Sequence, residues 1–204
     1  MKKLYWIAVA VALCGFTPTL PCWAQQIDVA IAGSSIASSS GNFVGNPATY
    51  VPSEKGGTYI GFSGDVLFHG NLGVQAEVNW RAGQGNYAGL GLGYRPVFYD
   101  FNAIYAKRFS PRLGAEVLGG IGGQSLRLYT GQSNCDYYGN CTNYVSSNHF
   151  LVDFGGGVRL YVWHNMFVRP EMRLYIVHGN QQYFSSDYQI RYGASLGYTF
   201  GGSH

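Results

Sequence analysis

From Tyr188 to Phe200 the chain alternates without an exception. Tyr188, Ile190, Tyr192, Ala194, Leu196, Tyr198 and Phe200 share one parity, and Gln189, Arg191, Gly193, Ser195, Gly197 and Thr199 share the other. Side chains of a strand point alternately to opposite faces, so this segment has one wholly apolar face and one polar or very small face. Its length exceeds the ordinary strand of about 5–6 residues, whereas about 9–11 tilted residues carry a strand across a bilayer. A long strand with two unlike faces points to a sheet that meets lipid on one side and something polar on the other.

The beginning of the chain agrees. Lys2 and Lys3 precede an apolar run from Leu4 to Phe16, followed by Pro18, Pro21 and Cys22-Trp23-Ala24. A basic start, a short apolar stretch and a small residue at the cut describe a secretory signal peptide over residues 1–24. The run is shorter than the roughly 20 residues of a membrane helix. Residues 25–204 are then expected to form one domain. Only 11% of the chain is charged and 16% is aromatic, against about 25% charged in a soluble domain. Removing Lys2 and Lys3 from a formal +3 leaves +1, so nothing basic enough for nucleic acid remains.

The same reading predicts eight strands in all: about 27–36, 58–68, 72–81, 97–109, 113–129, 150–163, 166–178 and the last at 188–200. Alternation is clear at Leu72, Val74, Ala76, Val78 and Trp80, and at Phe150, Val152, Phe154, Val158, Leu160 and Val162. In the fifth strand Ala115, Val117 and Ile121 share one parity while Leu126 and Leu128 have the other. Either a bulge at Gly122-Gly123 restores the faces, or the leucines fill the interior. Connections alternate between short (69–71, 110–112, 164–165) and long (37–57, 82–96, 131–148, 179–187), as outer-membrane barrels alternate periplasmic turns and extracellular loops. An all-β, eight-stranded antiparallel up-and-down transmembrane barrel follows, with both ends on one side.

The signal peptide, strand count, loop alternation and terminal Tyr192, Leu196, Tyr198 and Phe200 resemble the OmpA-like outer-membrane β-barrel family, often called porin-family proteins. The resemblance implies location in the cell outer membrane, contact with lipid including lipopolysaccharide, and a monomer without cofactor or metal. It also implies that the barrel assembly machinery reads the closing strand at those four residues.

Parity directs Asp28, Asp65, Glu77, Asp100, Glu116, Asp153 and Glu171 inward together with Arg81, Arg159, Arg169, Arg173 and Arg191. Eight strands enclose an interior that side chains can fill, and buried charges persist when paired. The expectation is an ion-pair plug and a structural or surface-display role. The alternative is a charged path through a small-conductance channel. Cys135 and Cys141, an even pair in an exported chain, are expected to form a disulfide. It would hold Tyr137 and Tyr138 as candidate contact residues at a loop tip for an extracellular ligand.

No enzyme activity is expected. The alternative rests on barrels that modify lipid A with a Ser/His/acid set at the outer rim. Candidates here are Ser146, Ser147, His149, His178 and Asp187. The His-x-Ser-Asn arrangement of the lipid A deacylases is absent, because the order is Ser146-Ser147-Asn148-His149. Trp80, Tyr99, Tyr105, Phe109, Trp163, Tyr188 and Phe200 lie toward strand ends or outward, where Trp and Tyr favour the headgroup level.

Overall fold

A computed structural model describes residues 26–39, 53–68, 71–87, 92–135, 139 and 141–201. The expected signal peptide lies outside them. Among the described residues nine strands follow one another: β1 (Gln26–Ser38), β2 (Tyr59–Leu67), β3 (Leu72–Arg81), β4 (Gly85–Tyr87), β5 (Leu92–Ser110), β6 (Leu113–Cys135), β7 (Cys141–Trp163), β8 (Met166–Val177) and β9 (Tyr188–Phe200). All pairings are antiparallel, and the ring runs β1, β2, β3, β5, β6, β7, β8, β9 and back to β1. Eight strands therefore close an up-and-down barrel. The short β4 pairs only with the start of β5 and lies outside the ring.

Closure rests on the alternating strand described first. β9 pairs with β1 from Ile27↔Phe200 to Ser38↔Gln189 and with β8 from Met166↔Tyr198 to Ile176↔Tyr188. Both of its backbone edges are thus used, which closes the eight-stranded ring at this seam.

The two faces separate by chemistry. The outside is apolar and exposed, with Phe101 67% and Met172 62% accessible, while the inward arginines 169, 173 and 191 are about 1% accessible. An apolar surface this continuous is a site of contact with an apolar phase.

The structure decides the fifth predicted strand. β6 pairs with β5 in unbroken register from Gly93↔Tyr129 to Arg108↔Gly114, so there is no bulge at Gly122-Gly123. Leu126 points inward and is fully buried. The inward glycines there answer to space instead. A Cβ on Gly122 would lie 2.7 Å from Asp100 Cα, and one on Gly120 2.7 Å from Asn102 Cα.

The third long connection, expected over 131–148, is corrected. β6 and β7 continue as one hairpin to Cys135 and from Cys141, pairing Ser125↔Asn148, Arg127↔Ser146 and Tyr129↔Tyr144. Above the apolar belt a strand has no face to bury, so its sequence turns polar and the period-2 signal disappears although the backbone ladder continues.

Candidate functional site: the closed lumen and its outer mouth

Inward positions on all eight strands of the ring bring two groups of charges together. Toward the β1 end, Arg159 pairs with Asp28, Asp65 and Glu116, the Asp65 contact being 2.9 Å. Arg169 meets Glu116 at 2.9 Å, Glu171 at 3.0 Å and Asp65 at 3.3 Å. Nearer the outer mouth, Arg173 pairs with Glu77 and reaches Asp100 at 3.3 Å and Asp153 at 3.6 Å. Arg191 bridges Glu77 and Glu171, the latter at 2.7 Å. Gln75, Asn79, Asn102 and Ser195 supply further hydrogen bonds. Room for the arginines comes from small residues across the strand pair: a Cβ on Gly155 would stand 2.7 Å from Arg173 Cγ. Arg81 stands apart. It has no salt bridge among the described residues and donates instead to the Tyr94 hydroxyl at 2.6 Å.

Apolar layers bound the charges. Leu67, Ile104, Ala106 and Leu118 pack at the end where β2 and β5 finish, and Ile36, Tyr59, Phe98, Leu151, Tyr175 and Val177 pack toward the other. Phe98 and Tyr175 stack with ring centroids 5.2 Å apart. Above them Tyr94, Leu126 and Phe184 form a third cluster, with Phe184 5.2 Å from Tyr94 and 5.7 Å from Tyr87. Phe184 comes from the connection after β8, so that connection lies over the mouth.

Glu54, which sequence reasoning did not single out, completes the closure. Residues 53–58 precede β2 and turn inward, with Gly56 and Gly57 at φ 75° and 84°. Glu54 is fully buried and accepts hydrogen bonds from Gln124 Nε2 at 2.9 Å and Gln189 Nε2 at 2.6 Å. It therefore latches the first long connection to β6 and β9. No periodic signal could reveal it, because a loop carboxylate has no parity. Burial pushes its carboxyl up to about 7, against the amide donors of Gln124 and Gln189, the Arg81 guanidinium and Asn180, which all act to lower it.

A raised carboxyl binds its proton more tightly in the folded state. The stability contributed by the latch is thus complete below about pH 4.5 and is lost as pH rises through about 7. Protease resistance of residues 53–58 should fall between about pH 5 and about pH 8 in the native chain and stay level in Glu54→Gln. A pH dependence that survives in Glu54→Gln would assign the titration to another group.

At the rim, Ser147 Oγ lies 2.9 Å from His149 Nε2, and His149 Nδ1 faces the main-chain oxygen of His178 at 3.3 Å. Asp187 is engaged elsewhere, accepting from the Gln181 N–H at 2.9 Å. Tyr183 lies edge-on to the His149 ring at 5.7 Å. The structure thus brings Ser147 and His149 together, but the candidate acid is not set behind the imidazole, where it would stabilise a charged ring. Ser146 points to the opposite, outer face of β7, in register with Arg127.

Cys135 and Cys141 are bonded to each other and stand opposite one another at the hairpin end. Tyr137 and Tyr138 lie outside the described residues. Because the disulfide ties the tip and not the barrel, Cys135→Ser with Cys141→Ser should insert normally while protease cuts the hairpin end faster. Loss of the inserted barrel would contradict that assignment.

No protein-family profile matches this chain, and no curated protein matches it. Solved structures do. Neisserial surface protein A aligns with a TM-score of 0.58 at 12% identity, over 86% of this chain and 96% of its own. Ail, the attachment invasion locus protein of Yersinia pestis, crystallised with the heparin analogue sucrose octasulfate, gives 0.55 at 11% identity over 86% and 98%. The N-terminal β-barrel domain of Pseudomonas aeruginosa OprF gives 0.51 at 13% over 87% and 98%. At these identities the likeness is one of fold, that of a closed antiparallel up-and-down barrel of eight strands.

Proposed function

We propose that this chain, folded as the outer-membrane barrels just named, sits in the outer membrane of a diderm bacterium with a closed lumen and acts through what it holds above the surface. The extended β6–β7 hairpin carries this reading. A tilted crossing takes about 9–11 residues, whereas each of these strands has 23. At about 3.3 Å per residue, the eight residues of β6 beyond Arg127 reach roughly 26 Å further along the strand. Pairing that runs to Tyr129↔Tyr144, resumes after a register shift at Asn134↔Thr142 and ends in a disulfide restrains that reach, which lowers the ordering cost of contact with a partner. Contact with lipid including lipopolysaccharide, assembly by the barrel machinery and a monomeric state belong to the same reading.

The layers inside oppose conduction. Charges paired at hydrogen-bond distance, apolar clusters above and below, and Glu54 and Phe184 at the mouth leave ions no wetted route. Mature protein, refolded and checked by heat-shifted gel mobility, should be electrically silent in a planar bilayer. A steady conductance that changes in Glu77 or Arg173 variants would make the protein a channel and overturn the closed-lumen reading.

A further inference from the structure

Charge on this protein is sorted between inside and outside. Eight of its ten carboxylates, Asp28, Glu54, Asp65, Glu77, Asp100, Glu116, Asp153 and Glu171, are buried. Among the described residues the one further acid, Asp187, is half-buried and accepts from the Gln181 N–H at 2.9 Å. On β5 the outward parity reads Arg95, Val97, Tyr99, Phe101, Ala103, Tyr105, Lys107. Residues 96–106 between the two cations match the span of a tilted crossing, about 9–11 residues. Arg95 and Lys107 therefore stand at the two headgroup levels, and Arg95 is the outer one, on the side of the β6–β7 hairpin.

There Arg95 is directly opposite Arg127 of β6 in register, and Arg127 is opposite Ser146 of β7. Two like charges facing each other across a strand pair destabilise the sheet unless something neutralises them. Among the described residues neither has a carboxylate partner. Arg95 uses Nε on the Arg81 carbonyl at 2.8 Å, and Arg127 lies over the Tyr144 ring at 5.2 Å. Both contacts orient a guanidinium without neutralising it. Exposed Tyr99 and Phe150 mark the top of the apolar belt immediately below, with Ser125 and Asn148 between belt and cations.

We propose that Arg95 and Arg127, with the Ser146 hydroxyl beside them, bind a phosphate group of an outer-leaflet lipid, a phosphorylated saccharide headgroup held at the barrel wall. Guanidinium forks match phosphate oxygens two at a time, and the phosphate removes the Arg–Arg repulsion. The headgroup is chosen over a free anion because the pair stands where an acyl chain below can lie on the exposed belt. The proposal rests on the membrane reading given above.

The test uses refolded mature chain in phosphatidylcholine bilayers with diphosphoryl lipid A, the same lipid with its phosphates removed, or inorganic phosphate alone. Heat-shifted mobility first establishes insertion, so a chain that fails there refutes the membrane reading before any lipid is measured. Lipid retained on inserted protein is then counted by native mass spectrometry. Diphosphoryl lipid A should be retained, and Arg95→Gln with Arg127→Gln should lower its apparent affinity at least about tenfold, the effect of losing two charge-assisted contacts. Lys107→Gln at the opposite end should leave it unchanged. Equal retention by the double variant, or equal retention of dephosphorylated lipid, overturns the site. Inorganic phosphate binding as tightly as the lipid overturns the choice of a headgroup.

Discussion

A chain ending at Asp187 should not be recovered as a folded barrel in the outer membrane. Without β9, the whole facing edge of β1 from Ile27 to Ser38 and that of β8 from Met166 to Ile176 lose their ladder partners. Each backbone polar group left unsatisfied in hydrocarbon costs several kcal/mol, so only a closed barrel is tolerated there. The loss also removes Gln189 from Glu54 and Arg191 from Glu77 and Glu171, which opens the lumen from inside. Membrane fractions probed for a heat-shifted band decide the matter: a shifted band from the truncated chain would mean that β1 and β8 can close without β9.

Arg159→Met should produce the largest loss among single substitutions that leave the sheet intact. Arg159 is the one guanidinium in contact with Asp28 among the described residues, and it shares Asp65 and Glu116 with Arg169. Methionine keeps much of the volume but leaves three carboxylates facing one remaining cation. Breaking a buried pair by removing one partner costs about 3–5 kcal/mol. Urea unfolding of refolded protein in micelles should show that loss, with Arg159→Lys between the two because a lysine cannot serve three carboxylates in a plane. An unchanged midpoint for Arg159→Met would mean that these charges are solvated and that the lumen is wet.

The lumen shows how far sequence parity reaches. Once the strands were counted, Glu77, Asp100, Glu116, Asp153, Arg159, Arg169, Glu171, Arg173 and Arg191 each had one available side, and the structure places them all inside. Their pairing was not legible. Arg159 meets Asp28 across 131 positions of chain, and Arg173 meets Glu77 across 96. Such contacts depend on the stagger between strands, which no single strand encodes. Glu54 and Phe184 were invisible for a different reason: they belong to connections, where neither period nor parity constrains a side chain.

By itself the sequence determined the eight strands of the ring, the faces of all but the fifth predicted strand and the places of the short connections between strands. These follow from a period of two and from the need to keep apolar and polar surfaces apart, both local properties. Only the tertiary structure decided the rest: the absence of a bulge at Gly122-Gly123, the length of the β6–β7 hairpin, the latch at Glu54 and the facing of Arg95 with Arg127. Each of these depends on which residue of a neighbouring strand or connection lies across the ladder, and that register exists only once the barrel has closed.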